Sequence, residues 1–530
     1  MRRRYWCPLL VILFFYYVWN IDDEDDDYDG DYTAKSHNLT RSRYQKSVLN
    51  LSRLRGIETR IYSLSEFDLA RDDAAIPPLK VNSTSSNLDD LNDLDTDESV
   101  YTDSVLKPPE VERWQTVSNE EVYVFSAHRD PRHPSRSIVL VFGILLTGFL
   151  KDKGDIRLYC HLVTGEFGIA DTVLGTIQTL AVRKYKYEGF VLHCRFDSGV
   201  YVTNDVHVSV VMGAWHEPIN ALRVHDNLQP PGRPLNFTLC CVDILNDYTD
   251  YGRLVEWLEL NLILGVQKFL IYVASTDETL KAILTLYERE GSIEIVRLLE
   301  VDAYERDEPG EPVHLLGLDP DVWHSMSLVS LQECLLRNML LTKYLMFSGV
   351  DEIIAPRDPE LHSLHDVVNL SKCANNGYIS VLNFYFDPDW PDDDSYAEDE
   401  LVGSRIRPVT LLKTRRERTF WSFENRSRYI VQPEFVDHVK PHRVWLRHPG
   451  TDFPCVIHPD LGALHHYDTQ PRGRLPPTGS EKLQDDETVL DRSLHKYGGL
   501  LVERILARND QLGNGNFGQQ RTSSDQNKTV

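Results

Sequence analysis

The sequence predicts an α/β protein: a doubly wound sheet domain preceded by a small β-rich domain, an acidic stem and one N-terminal membrane anchor. Three observations predict it. Strand-like and helix-like segments alternate between residues 237 and 347, the pattern of a parallel sheet with crossover helices. Strand-like runs bounded by turn residues precede them from residue 122. An uncharged apolar run near the N-terminus leads straight into an acidic polar stretch.

Composition narrows the function. Of 530 residues, 42% are hydrophobic and 26% charged, which is globular composition. A formal charge of −25 excludes a general nucleic-acid binder but leaves room for one local basic pocket. Eight cysteines are too sparse for a disulfide scaffold, and no C-x-x-C pair suggests a zinc knuckle.

Arg2, Arg3 and Arg4 precede the uncharged run from Tyr5 to Trp19. No small residues follow that would suit cleavage, so residues 5–21 read as a signal anchor and residues 1–4 as a cytosolic tail. The run is short against the ~20 residues that usually span a bilayer, which suits a thin membrane of the early secretory pathway. Positive-inside orientation then places everything beyond residue 21 in the lumen or outside the cell. Residues 22–120 read as a solvated stem, because residues 21–120 hold 23 acidic against 11 basic side chains without apolar periodicity. Asn-x-Ser/Thr acceptors at Asn38, Asn50, Asn82, Asn236, Asn369, Asn425 and Asn527 agree with that compartment. Seven cysteines lie beyond the anchor, so at least one is left without a partner in the chain. Cys240 and Cys241 are adjacent on a strand, point to opposite faces and cannot both meet one partner.

Residues 121–234 form the β-rich domain, with strands predicted at 122–126, 137–146, 156–162, 190–196 and 206–211. The prolines and glycine of 230–234 mark its end. In the α/β domain, 235–505, a strand at 237–242 precedes a helix over 250–264, which is stopped by Gly265. A strand follows at 268–273. Ser275-Thr-Asp-Glu278 reads as a capping box opening a helix that runs to Gly291. A third strand at 293–298, a helix at 325–342 and a strand at 343–347 complete the pattern, and residues 506–530 read as a tail.

Ligands of such sheets bind beyond the carboxyl ends of the strands. There the chain reads Ser348-Gly-Val-Asp-Glu352, offering Asp351 and Glu352 as oxygen ligands for a divalent cation that meets a substrate phosphate. No Gly-rich phosphate loop is present.

Five stretches resemble glycosyltransferase family 92, whose characterised members transfer galactose from UDP-galactose in the secretory pathway. They are Leu239-Cys-Cys-Val-Asp243 with Leu258-Glu259 and Leu264-Gly265; Phe269-Leu-Ile-Tyr272 with Tyr287-Glu288 and Glu290-Gly291; Gln332-Glu-Cys-Leu-Leu-Arg337; and Tyr344 to Ile353. The fifth runs from Arg426 to Ile430 through Gln432-Pro-Glu434, His442 and Val444-Trp445 to His465-His-Tyr467. The resemblance covers about residues 120–500 and implies a GT-A type mixed sheet. It implies a hexosyltransferase anchored in the Golgi membrane as a single-pass type II protein, with a UDP-sugar donor, a glycan or glycoprotein acceptor and manganese(II).

It also implies roles. Asp351 would hold the metal, with His466 or His442 completing its shell, and Glu352, Arg426 and Arg428 would meet the donor. Inversion calls for a carboxylate base, and Asp387 and Asp389 stand beside Trp390, whose ring suits stacking on a sugar; the Asp392-Asp-Asp394 cluster offers further carboxylates. Gly349 departs from the family, standing where its metal motif has a first Asp. Restoring that Asp is expected to raise donor affinity. The same departure admits a second reading, an inactive domain that binds glycans or proteins.

Overall fold

The computed structural model describes residues 112–513, apart from 119–120, 134–136, 150–156, 165–167, 181–184, 197–205, 227–234, 299–319, 394, 396–405, 422–425, 448–453 and 469–487. The predicted anchor, the stem as far as residue 111 and the end of the tail lie outside these residues. Among the described residues, no helix is long and apolar enough to cross a membrane.

The N-terminal layer is a curled sheet. Its strands are β1 (Gln115–Ser118), β2 (Val122–Arg129), β3 (Ser137–Leu146), β4 (Tyr159–Thr164), β5 (Gly168–Leu174), β6 (Thr176–Thr179), β7 (Tyr187–Phe196), β8 (Val206–Val211) and β9 (Leu222–His225). They pair in the order β5-β4-β8-β9-β2-β3-β7-β6, with β1 on β2. Cys160 of β4 and Cys194 of β7 form a disulfide although four strands separate them in that order, so the sheet must fold back on itself. Val124, Val141, Leu162, Leu192 and Val208 fill the space enclosed. All five predicted strands are present. The ones missed are four-residue β1, β6 and β9, and β5, whose residues are exposed or half-buried throughout and so show no apolar run.

β1 lies inside the stretch read as stem, and Trp114 beside it is buried against Phe125. The folded part therefore begins before Glu121.

The α/β layer runs β10 (Leu235–Leu245), α1 (Tyr251–Leu264), β11 (Lys268–Val273), α2 (Glu278–Arg289), β12 (Ile293–Arg297), α3 (Pro320–Arg337) and β13 (Thr342–Ser348). These strands pair in parallel in the order β12-β11-β10-β13. Beyond β13 the sheet turns mixed: antiparallel β18 (Arg428–Val431) joins β13 to β15 (Tyr378–Val381), and β21 (Cys455–Val456) closes the edge. Gly265 ends α1 in the left-handed conformation, φ 106°, as its sequence position predicts. The capping box at Ser275 does not form. Asp277 caps α2 instead, accepting from the Leu280 amide at 2.8 Å, while Ser275 accepts from the Asp247 amide in the neighbouring loop. A carboxylate two residues nearer the helix satisfies the orphan amide, and the serine is drawn to a tertiary partner. Helix α3 begins five residues earlier than expected and ends at Arg337.

α3 lies between the two layers and is fastened to both. Glu333 is fully buried and accepts from His128 Nε2 of β2 and Arg337 Nε, each at 2.8 Å, and from the Tyr272 hydroxyl of β11. Arg337 also donates to Glu112 at 2.9 Å and Glu294 at 3.2 Å. Cys334 is bonded to Cys240 of β10, and Gln332 donates to the Val439 carbonyl. A third disulfide joins Cys373 to Cys455, leaving Cys241 buried as a free thiol.

Removing one partner of a buried charged pair costs about 3–5 kcal/mol, so Glu333→Gln should lower the urea midpoint of the folded protein sharply. Burial alone would raise the Glu333 pKa, but Arg337 and His128 outweigh it and hold the carboxyl well below its usual range. A group depressed in the folded state stabilises it above its unfolded pKa of about 4.3, and that contribution fades as pH falls below it. The difference between wild type and Glu333→Gln should therefore shrink below about pH 4. A fragment beginning at Glu121 should melt below one beginning at Ser104, because it lacks β1, Trp114 and Glu112.

Candidate active site

At the carboxyl end of β13 the chain makes a tight turn, Gly349-Val350-Asp351, into β14 (Glu352–Pro356). Two carboxylates hold the turn's amides. Gly349 N–H donates to Glu352 Oε2 at 2.7 Å, and Val350 N–H donates to Asp243 Oδ2 at 2.8 Å. Asp243 comes from the end of β10, which pairs with β13 up to Cys241 and Ser348. β14 lies between this turn and a small sheet in which it pairs with β22 (Gly462–Tyr467), and β22 pairs with β16 (Asn383–Phe386).

Register does the rest. Glu352 stands opposite His466, so both side chains share a face. His466 Nε2 comes to 3.2 Å from Asp351 Oδ2, and its Nδ1 to 3.9 Å from Glu352 Oε1. One ligand atom from each of Asp351, Glu352 and His466 lies within 4.8 Å of the other two. Two hard carboxylates and an imidazole suit a divalent cation of the manganese type. Asp351 is half-exposed and Glu352 buried, so the group opens to solvent on the Asp351 side.

The charges are balanced around this group. Burial works against the negative charge of Asp351, but the hydrogen bond from His466 and the cations His466, Arg253 and Arg428 hold its pKa below the usual range. Burial would lower the His466 pKa, yet Asp351 and Glu352 raise it. Asp243 is exposed, with its Oδ2 turned in to the Val350 amide. Loss of solvation at the carboxyl, and then the charge of Asp351, push its pKa up to about 6.

Asp351, Glu352 and His466 are therefore brought together as expected, with Arg428 against Glu352, and His442 is not among them. Arg428 is largely enclosed, donating from Nε to Glu352 at 2.7 Å and from Nη1 to the Pro441 carbonyl at 2.7 Å, so it positions Glu352. His442 lies outside the three-residue group. Its Nδ1 donates to the Ser427 carbonyl at 3.1 Å, and burial, with Arg428 beside it, pushes its pKa down to about 4. Arg426 sits at φ 59° with its guanidinium 5.0 Å from the centre of the Trp421 ring.

Asp387 follows β16 directly and is half-buried, while Asp389 is exposed and gives its amide to Asp387 at 2.8 Å. Tyr385 of β16 pairs with His466, so the alternation of that strand points toward Asp387 on the same face, two residues further on. Loss of solvation raises the Asp387 pKa. Asp392 and Asp393 are engaged elsewhere, in ion pairs with Arg407 and Lys413 and with Arg492.

Sequence reasoning gave no role to Asp243 or Asn383. An Asp ending the first parallel strand is a signal that was present. Asn383 carried none, because its Nδ2 reaches His466 Nδ1 at 3.3 Å and the Arg426 carbonyl at 3.0 Å only through strand register. The surroundings of Gly349 bear on the expectation for that position. An ideal Cβ there would lie 2.7 Å from Asp351 Oδ1 and 2.8 Å from Asp243 Oδ2, so an added Asp would have to displace two carboxylate ends and add a third negative charge beside them.

Residues 236–497 match the Glycosyltransferase family 92 domain. This part of the chain is a family 92 glycosyltransferase domain. The chain is similar to the beta-1,4-galactosyltransferase galt-1 of Caenorhabditis elegans, with 23% identity over 245 residues, 45% of this chain and 52% of that protein. It thus spans about half the length of the curated relative it matches. Among solved structures, the apo form of the bifunctional glycosyltransferase WbbM covers 40% of this chain and 35% of its own at 11% identity and TM-score 0.16, too slight a likeness to bear on the fold. Within the family 92 domain lie all the residues of the three-residue group.

If that group binds a cation, Asp351→Asn should weaken manganese(II) binding by more than the ~10–100-fold typical of losing an outer-shell partner. Its melting temperature should stay close to wild type, because the half-exposed Asp351 side chain lies in a turn. Isothermal titration with manganese(II) and a thermal melt check both halves. Gly349→Asp should weaken the same binding.

Proposed function

We propose that the chain is a galactosyltransferase that moves galactose from UDP-galactose to a glycan or glycoprotein acceptor, with inversion to a β-linkage. The observation that carries this reading is the Asp351, Glu352 and His466 group at the carboxyl ends of the parallel strands of a family 92 domain. Similarity to a beta-1,4-galactosyltransferase supports the choice of donor and sugar. Three disulfides suit an oxidising compartment, and the acceptor residues Asn236 and Asn369 are exposed. They support a lumenal, type II protein of the Golgi, held by the anchor at residues 5–21.

Asp351, Glu352 and His466 would hold manganese(II), which supplies positive charge against the departing diphosphate. Arg428 fixes Glu352, and the Gly349 and Val350 amides fix the turn, so the carboxylates need not reorganise as charge develops. Arg426, whose backbone carbonyl is held by Asn383 beside the group, would be the cation for the donor phosphates. Asp387 accepts the proton of the acceptor hydroxyl as that oxygen attacks the anomeric carbon. Its raised pKa makes it a stronger base than an ordinary carboxylate.

The test is transfer from UDP-galactose by the purified lumenal part with manganese(II), on an array of acceptors. Transfer should occur, and Asp351→Asn should slow it roughly a hundred- to a thousandfold, the cost of losing one transition-state electrostatic contact. A base must be unprotonated, so kcat/KM should fall on the acid side as Asp387 is protonated, at a pH above the ordinary carboxylate range. Asp387→Asn should remove that limb together with most of the rate. A wild-type protein inert toward every nucleotide sugar tried would favour the inactive binding module.

A further inference from the structure

Asp243 lies outside the three-residue group, yet the turn is shaped around it. Its Oδ2 accepts the Val350 amide at 2.8 Å, which fixes the carboxylate against the residue that precedes Asp351. The same oxygen lies 2.8 Å from where a Gly349 Cβ would stand, and Asp351 Oδ1 lies 2.7 Å from that point. Two carboxylates from neighbouring strand ends therefore face each other across a space that any side chain at position 349 would fill. Both side chains open to solvent, as a ligand that joins them requires. Arg428, the cation nearest by sequence motif, is committed to Glu352.

We propose that Asp243 is a fourth side chain of the cation site, facing Asp351 across Gly349, and that glycine is present at 349 to leave room for the ion and both carboxylates. This rests on the reading that the group binds a divalent cation. Asp243 then supplies from β10 a carboxylate that an acidic residue at 349 would supply from the turn itself.

Three strands are thereby tied to one ion. β10 brings Asp243, and the chain leaving β13 brings Asp351 and Glu352, while His466 arrives from β22. A monodentate contribution from each of four side chains leaves coordination positions for the oxygens of a diphosphate, as hard cations usually retain.

The experiment is a titration of the full chain with manganese(II), followed by electron paramagnetic resonance of the free ion, without donor or acceptor. Asp243→Asn keeps an oxygen for the Val350 amide and removes the charge. It should weaken binding by about tenfold or more with an unchanged melting temperature. The double variant Asp243→Gly with Gly349→Asp moves the carboxylate into the vacated space from the other strand. It should bind manganese(II) more tightly than Asp243→Gly alone.

If Asp351→Asn weakens binding while Asp243→Asn binds as wild type does, the proposal is overturned and the three-residue site stands. If wild type binds no manganese(II), both fail. Should Asp243→Asn fold poorly, the comparison of the double variant with Asp243→Gly decides: equal affinity in the two overturns the shared-space argument.

Discussion

The buried carboxylate of Glu333 is the constraint on which the arrangement of the two layers depends. A charge with no exposure to water is tolerable only if cations and donors surround it. Those partners come from β2 (His128), β11 (Tyr272) and α3 itself (Arg337). Satisfying Glu333 therefore fixes the curled sheet, the crossover helix and the parallel sheet relative to one another. The next residue, Cys334, adds a covalent tie to Cys240 three positions before Asp243. A polar cluster far from the turn thus sets where the end of β10 stands beside the end of β13.

At that edge, backbone and side chain exchange roles. The turn after β13 has amides that its own backbone leaves to other acceptors, and Glu352 and Asp243 accept from them. Each carboxylate spends part of its hydrogen-bonding capacity on the turn and leaves the rest for the site. Asp351 has its carbonyl tied by the Tyr467 amide at 2.9 Å and keeps its side chain half-exposed. The result is a negative site whose members are held against mutual repulsion by local hydrogen bonds. Arg428 takes part in this support through Glu352.

Much of the architecture was legible in the residues. The parallel strands were found because burial on both faces writes continuous apolar runs such as Phe269-Leu-Ile-Tyr-Val273. The start of α2 was misplaced by two residues because Ser275 and Asp277 are both good caps, and a loop contact from Asp247 decides between them. Strands β5 and β6 were missed because edge strands facing water carry no apolar alternation. Strand β1 was hidden by the polar sequence around it, and its pairing with β2 is a long-range event that composition does not record.

For the site, the sequence by itself determined that Asp351 and Glu352 leave a strand where ligands collect, because both the strand and the residues after it are local features. It also determined that Cys240 and Cys241 part company, since neighbours on a strand face opposite ways; one is bonded to Cys334 and the other is a buried thiol. What joins His466 to Asp351, sets Arg428 against Glu352 and His442 against the Ser427 carbonyl, and sets Asp243 against Gly349 was decided by the tertiary structure alone. Those relations cross 115, 76 and 107 residues of chain for His466 with Asp351, Arg428 with Glu352 and Asp243 with Val350. Over such separations, strand register and the packing of α3 determine distance, and neither is a property of any short stretch of residues.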